Sequence, residues 1–359
     1  MVTKSLMIYR FSKARRNVSI LLIGLLVALL FGLWFKNMAE NRGVYPSKQT
    51  FSKTVYGVNV DITAMIPDTP YTVRTASGGN FFDLAAQLGI NTLRITDVRW
   101  ASTGEVRSKT TWQYVFNEAA SHHMNVILLL THGGEPSAIK DAHILLEQYG
   151  LAYAPALWLI DLDNEPNVSD PQQMTVLREE AAYVHQVAPK VPVTIGGWES
   201  QVSGHLGEYD WQDPKDIPKL IDLVDVVSPH LYEFEQRIQQ GFMPQQWTRR
   251  FLSEVRKQSQ GKPILLEEFG AGNGLATTTM PTPTGSPQWQ AVVYQEVLQE
   301  VSAEHNQGVI GAVAWIIAPR PAWPNSDNYQ GNMAGWAFVL NHGRRLLPAA
   351  QEFSAVAHA

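Results

Sequence analysis

Eight short apolar runs, rich in β-branched and aliphatic residues, alternate with stretches of helical periodicity from Val55 onward. The runs are expected as strands at 55–60, 92–96, 125–130, 156–161, 191–195, 223–228, 263–268 and 310–316. Helices are expected at 80–88, 112–122, 139–149, 172–187, 214–221, 245–258, 288–306 and 343–353. Eight β-then-α units place the chain in the α/β class and predict a closed (β/α)8 TIM barrel over residues 55–359. An open doubly wound sheet is the rival arrangement. It normally uses fewer strands and often opens on a glycine-rich phosphate loop, and no G-x-G-x-x-G follows the first run here. The longest irregular stretches (196–213, 270–287 and 318–335) all follow strands. In a barrel they would gather at the C-terminal face, where active sites are built.

The N-terminus has a different character. Residues 1–36 hold six basic groups and no acidic one, leaving 22 basic against 33 acidic residues in the remainder. Val18 to Phe35 is an uncharged apolar run of 18 residues, about 27 Å long as a helix and close to the hydrocarbon thickness of a bilayer. The expectation is a signal-anchor. Residues 1–17 would be a basic cytoplasmic tail, 18–35 a transmembrane helix and 36–54 a polar tether, with the lipid bilayer as partner and the barrel extracytoplasmic. A cleaved signal peptide and a buried core helix are the competing readings. Cysteine is absent, which excludes a disulfide framework and a thiol nucleophile. The net charge of -5 argues against nucleic acid as partner. No clustering of metal ligands stands out, and no cofactor is expected.

Function is carried by what ends the strands. The second run contains Arg94; the third is followed by Thr131-His132-Gly133-Gly134; the fourth by Asp163-Asn164-Glu165-Pro166. The sixth leads into His230-Leu231-Tyr232, the seventh ends in Glu267-Glu268-Phe269-Gly270, and the eighth carries Trp315. Side chains alternate faces along a strand, so His230 and Tyr232 should share a face and Glu267 and Glu268 should not. Carboxylates on the fourth and seventh strand ends would face each other across one barrel mouth, as glycosidic cleavage requires. One must be protonated to release the leaving oxygen, and the other ionised as a nucleophile or as a base for water. Spacing in the sequence cannot choose between retention and inversion. Indole rings could floor the cleft against apolar sugar faces; Trp315, Trp198 and Trp323 are the candidates, with Trp100, Trp211 and Trp336 behind them.

These motifs, in this order, resemble the clan of retaining (β/α)8 glycoside hydrolases, and most of all glycoside hydrolase family 5, the cellulase and mannanase family. The resemblance extends from about Tyr56 to Phe353. It implies Glu165 of Asn164-Glu165-Pro166 as acid/base and Glu268 of Glu268-Phe269-Gly270 as nucleophile, with retention of configuration. It also implies supporting roles for Arg94, His132, His230 and Tyr232, a substrate contact for Trp315, and a hold on the substrate 2-hydroxyl by Asn164. Thr131-His132-Gly133-Gly134 departs from the family's usual third-strand pattern. Asp161 and Asp163, close before Asn164, could raise the pKa of Glu165 or cap the next segment. The expected activity is endo-hydrolysis of a β-linked glucan or mannan. A transglycosylase using the same residues and a non-catalytic glycan-binding barrel are the alternatives.

Overall fold

The computed structural model describes residues 53–67, 69, 71–96, 105–132, 138–199, 212–232, 234–274, 285–319 and 335–359. The chain divides into two compact units, Met1–Thr50 and Phe51–Ala359, and the first lies outside the described residues. The second is a parallel barrel. Its strands are β1 Val55–Val60, β2 Thr92–Ile95, β3 Asn125–His132, β4 Leu157–Asn164, β5 Val193–Gly196, β6 His230–Leu231, β7 Ile264–Phe269 and β8 Val309–Ala314. They pair in the order β5-β4-β3-β2-β1-β8-β7-β6. A parallel bridge from Gly196 to Ser228 joins β5 to the segment before β6 and closes the ring.

The sixth strand shows a local rule at work. The apolar run 223–228 forms bridges at Val227 and Ser228 and backbone bonds from Asp225 and Val226 to the Val193 carbonyl, and the ladder resumes at His230. Pro229 lies between and has no N–H to give, so the strand breaks there. The expected helix at 214–221 is a 3-10 turn, Pro214–Asp216, and one α-turn, Ile217–Leu220, held short by two prolines. The third helix is α over Ala138–Ala142 and π over His143–Gln148. The last helix begins at Pro348 rather than 343, because the chain first makes an antiparallel pairing of Val339–Leu340 with Arg345–Leu346.

Two apolar layers hold the barrel. The larger lies between strands and helices and includes Leu93, Val126, Leu128, Ile160 and Leu266 with Trp112, Leu177, Phe251 and Tyr294. The smaller fills the barrel itself: Val55, Ile127, Leu159, Val226, Leu265, Ile310 and Val313. Two residues further along several of the same strands the interior turns polar, with Asp161 after Leu159 and Glu267 after Leu265. Asn59 and Arg94 on β1 and β2 are buried as well. This polar layer lies under the C-terminal mouth.

The membrane topology is corrected. Among the described residues, no helix is long and apolar enough to cross a membrane. The longest are 17 residues, Pro171–Val187 and Pro287–Ala303, and both bury one face against the barrel while carrying charged groups. The signal-anchor segment 18–35, the basic tail and residues 36–52 of the tether lie outside the described residues. The transmembrane helix, the bilayer partner and the single-pass, extracytoplasmic localisation are therefore not retained.

One feature of the outer layer yields a stability prediction. Glu180 lies on the buried face of the Pro171–Val187 helix with Met174, Leu177 and Val184. Among the described residues, neither of its carboxyl oxygens has a hydrogen-bond partner. Burial, then the negative charges of Asp163, Asp161 and Asp141, push its pKa well above the ordinary value of 4.5. The folded chain keeps this proton while the unfolded chain releases it, so stability is lost as pH rises above about 4.5. Glu180→Met keeps the volume and removes the unpaired group. It should raise Tm at pH 7, by roughly 2–4 °C per kcal/mol recovered, and the gain should vanish toward pH 4. Thermal melts of both proteins across that range check the sign.

Candidate active site

Both strands that carry the paired carboxylates are irregular just before them. The β4–β5 register shifts between Asp161 and Asn164, and the β7–β8 register shifts between Leu266 and Phe269. Such bulges re-aim side chains and are common next to active sites. The backbone of Glu165 itself is left-handed, with φ of 55°, a conformation costing a non-glycine residue roughly 1 kcal/mol or more. It is pinned there by a hydrogen bond from its N–H to the Gly196 carbonyl at 2.8 Å.

The two glutamates meet. One carboxylate oxygen of Glu165, one of Glu268 and a ring nitrogen of His230 all lie within 4.8 Å of one another. His230 Nδ1 is 2.7 Å from Glu165 Oε1 and 3.6 Å from Glu268 Oε2, so the imidazole bridges the pair. Glu268 is only 4% exposed and is held at both oxygens. Arg94 Nη1 donates to Oε1 at 2.5 Å, and the Tyr232 hydroxyl donates to Oε2 at 2.7 Å. Glu165 is half-buried and more open. The same three groups have the spacing of a cation site, but the hydrogen bonds they already make are those of a facing carboxyl pair.

Arg94 is the hub. It is fully buried. Its Nε and Nη2 both donate to Asp161 Oδ2, at 3.0 and 2.6 Å. Nη2 also donates to Asn164 Oδ1 at 2.7 Å, and Nη1 to Asn59 Oδ1 at 2.8 Å. Asp161 Oδ1 accepts the Gly196 N–H at 2.8 Å. Burial alone would weaken the guanidinium's charge, but Asp161, Glu267 and Glu268 outweigh it and bind its proton more tightly than usual. Burial, then the charge of Glu268, drives the Tyr232 hydroxyl well above its ordinary value, so it stays a donor. Bonds to both oxygens from a cation and a phenol favour the charged form of Glu268.

Arg94, Asn164, Glu165, His230, Tyr232 and Glu268 thus converge as the strand ends suggested. Trp315 is half-exposed, its N–H bonded to the Phe269 carbonyl and its carbonyl to the Tyr294 hydroxyl. Trp336, also half-buried, meets Tyr232 edge-on with ring centroids 5.5 Å apart. Trp198 offers no face to a ligand. It is 1% exposed, packs in the main core and donates its Nε1 to the Asp213 carbonyl. His132 ends β3 in register with Asn164, and its side chain lies outside what is described; Trp323, Trp100 and Trp211 lie outside the described residues.

Three participants were not among the sequence candidates for the site. Asp161 grips Arg94 rather than capping a segment. Asn59 ties Arg94 to the Glu267 and Ala314 carbonyls. Gln212 accepts the His230 backbone N–H at 2.8 Å. A signal existed for two of them, since Asn59 in VYGVNV and Asp161 in LWLIDLDN are polar groups inside apolar strands.

Comparison with known proteins follows the same line. The sequence profile of the cellulase family (glycosyl hydrolase family 5) matches residues 57–317. No curated protein sequence matches the chain. Among solved structures, an endo-1,4-β-D-mannanase from Thermotoga petrophila RKU-1 superposes with a TM-score of 0.58 at 14% identity, covering 85% of this chain and 99% of that one. A family 5 mannosidase from Rhizomucor miehei gives 0.57 at 14%, covering 85% and 93%. A β-glucuronidase from Ruminococcus gnavus gives 0.59 at 14%, covering 85% of this chain and 51% of the other. At such identities these likenesses establish the shared barrel fold.

Proposed function

The chain belongs to the cellulase family, glycosyl hydrolase family 5, and on that premise we propose that it cleaves a β-linked glucan or mannan internally by double displacement, with Glu268 as nucleophile and Glu165 as acid/base. It is a retaining glycosidase acting on a β-linked glycan. In the first step Glu268 attacks the anomeric carbon, the glycosidic bond breaks, and Glu165 gives its proton to the departing oxygen. In the second, Glu165 takes a proton from water, which displaces Glu268 from the sugar and restores the starting configuration. Asn164, with its amide oxygen committed to Arg94, is suited to hold the 2-hydroxyl, and Trp315 to carry a sugar face.

The observation that carries this reading is the approach of the two carboxylates. One oxygen of each lies within 4.8 Å of the other, an approach compatible with the carboxyl spacing of about 5–5.5 Å that direct attack requires. The asymmetry of their surroundings fits the roles. Glu268 is enclosed by donors that favour its anion, while Glu165 is more open to the solvent that must supply and take its proton, with His230 bonded to it.

The direct test is product analysis by NMR on a panel of β-glucans and β-mannans. Retained anomeric configuration and chain-internal cleavage are expected. An inverted first product, or no turnover of any β-glycan, ends the proposal, and transfer to a sugar instead of water would assign a transglycosylase. The acid/base role has its own signature. Glu165→Ala should lower kcat/KM on natural glycans about 10²–10⁴-fold, the usual contribution of general acid catalysis. It should cost far less on dinitrophenyl β-glycosides, whose leaving group needs no proton. Equal losses on both substrates would assign Glu165 another task.

A further inference from the structure

Glu267, next to the proposed nucleophile, has no part in the double displacement, yet it lies at the centre of the polar layer. It is fully buried, and among the described residues neither carboxyl oxygen meets a donor in ordinary hydrogen-bond geometry. The reason is a count of donors. A guanidinium has five N–H groups. Those of Arg94 go to Asp161 twice, to Asn164, to Asn59 and to Glu268. None is left for Glu267, although Arg94 Nε stands only 3.4 Å from its Oε1. The crowding is tight. Around the point where a side chain on Gly196 would begin, Arg94 Nη2, Asp161 Oδ2 and Glu267 Oε2 all lie within 3.1 Å. The groups facing Glu267 are Arg94 from β2, Asp161 from β4 and Glu268 from its own strand, with Ser228 as the nearby hydroxyl. A third buried anion there would share one cation with two others that already hold its donors.

We propose that Glu267 is a positioning residue that must carry its proton: as a neutral acid it leaves Arg94 to Glu268 and Asp161, and on losing the proton it draws the guanidinium off Glu268 and disables the site at high pH. Burial, then the charge of Asp161 and that of Glu268, pushes its pKa well above the ordinary carboxyl range, against the pull of Arg94 and of the Ser228 hydroxyl. Alternation along β7 would have kept Glu267 and Glu268 apart. The register shift between Leu266 and Phe269 lets both reach the same guanidinium.

The kinetic test rests on the glycosidase reading, and the spectroscopic one does not. Glu267→Gln keeps the shape and cannot ionise. The probes are 2,4-dinitrophenyl β-cellobioside and β-mannobioside, on which ionisation of Glu165 does not limit the first step. The native enzyme should lose kcat/KM by about tenfold per pH unit along a high-pH limb, as for one lost proton. In Glu267→Gln that limb should be absent or displaced upward by a pH unit or more, a change that a merely structural role would not produce. At neutral pH, the infrared difference between native and variant protein should contain the carbonyl band of a neutral carboxylic acid. Coincident high-pH limbs, or carboxylate bands in place of the acid band, overturn the proposal. If neither probe nor any other β-glycan is turned over, the glycosidase reading fails while the infrared measurement still decides the proton on Glu267. If Glu267→Gln does not fold, Glu267→Ser carries the same comparison.

Discussion

Glu268→Ala is expected to lower kcat on β-glycans by about four to six orders of magnitude, the scale on which loss of a catalytic nucleophile is felt. The expectation follows from how completely Glu268 is engaged. One oxygen is bonded to Arg94 and the other to Tyr232, and the carboxylate stands within reach of Glu165 and His230. Removing it takes away the only group in that cluster placed to attack the sugar, but it also relieves a crowd of buried charge, so the barrel should still unfold cooperatively. The vacated volume makes a sharper test possible. Added azide should restore turnover of a dinitrophenyl glycoside and yield the glycosyl azide of inverted configuration, because the small anion attacks once, from the face that Glu268 occupied. NMR of the product distinguishes this from residual background hydrolysis. Substantial turnover by the unrescued variant would remove Glu268 from the mechanism.

Arg94→Met is expected to damage stability and activity together. The guanidinium is the cation bonded to both Asp161 and Glu268, and it is fully buried. Deleting one partner of a buried ion pair leaves the other uncompensated and typically costs about 3–5 kcal/mol. Methionine fills much of the space but can donate nothing. Asp161 and Glu268 would then favour their neutral forms in the fold, while in the unfolded chain they ionise freely. By linkage, the penalty should be smallest near pH 4 and grow toward pH 7. Urea melts of both proteins at several pH values measure this. A uniform penalty across that range would mean that packing, and not charge, is what Arg94 supplies. Activity should fall as well, since a protonated Glu268 cannot attack.

Much of this site could be read from the order of residues alone, because in a (β/α)8 barrel the end of each strand has a fixed place at the mouth. Asn164-Glu165-Pro166, His230, Tyr232 and Glu268 stand where an apolar run stops, Arg94 is the charge inside the second run, and the fold brings them together. The misjudged positions share a cause. Trp198 follows β5 like a cleft residue, but its indole turns into the core, and sequence position says nothing about rotamer. Asp161 reads as a neighbour of Glu165, yet it belongs to the interior layer and bonds β2 across the barrel. Asn59 shows in the sequence only as a polar residue inside an apolar first strand, with no motif around it to give it a role.

What the sequence by itself determined is the architecture and the roster at the mouth. Near-continuous apolar runs must bury both faces, helices must follow them, and eight such units close on themselves. Only the tertiary structure decided how the charges are shared. The bulges before Glu165 and Glu268 break the strict alternation of side chains, and they set Glu267 and Glu268 on one guanidinium. Such shifts come from pairing between strands far apart in the chain, and so do the number of donors that reach each buried carboxyl and the proton each one must keep. A linear reading can place acids in a site, but the donors that hold or neglect them come from other strands.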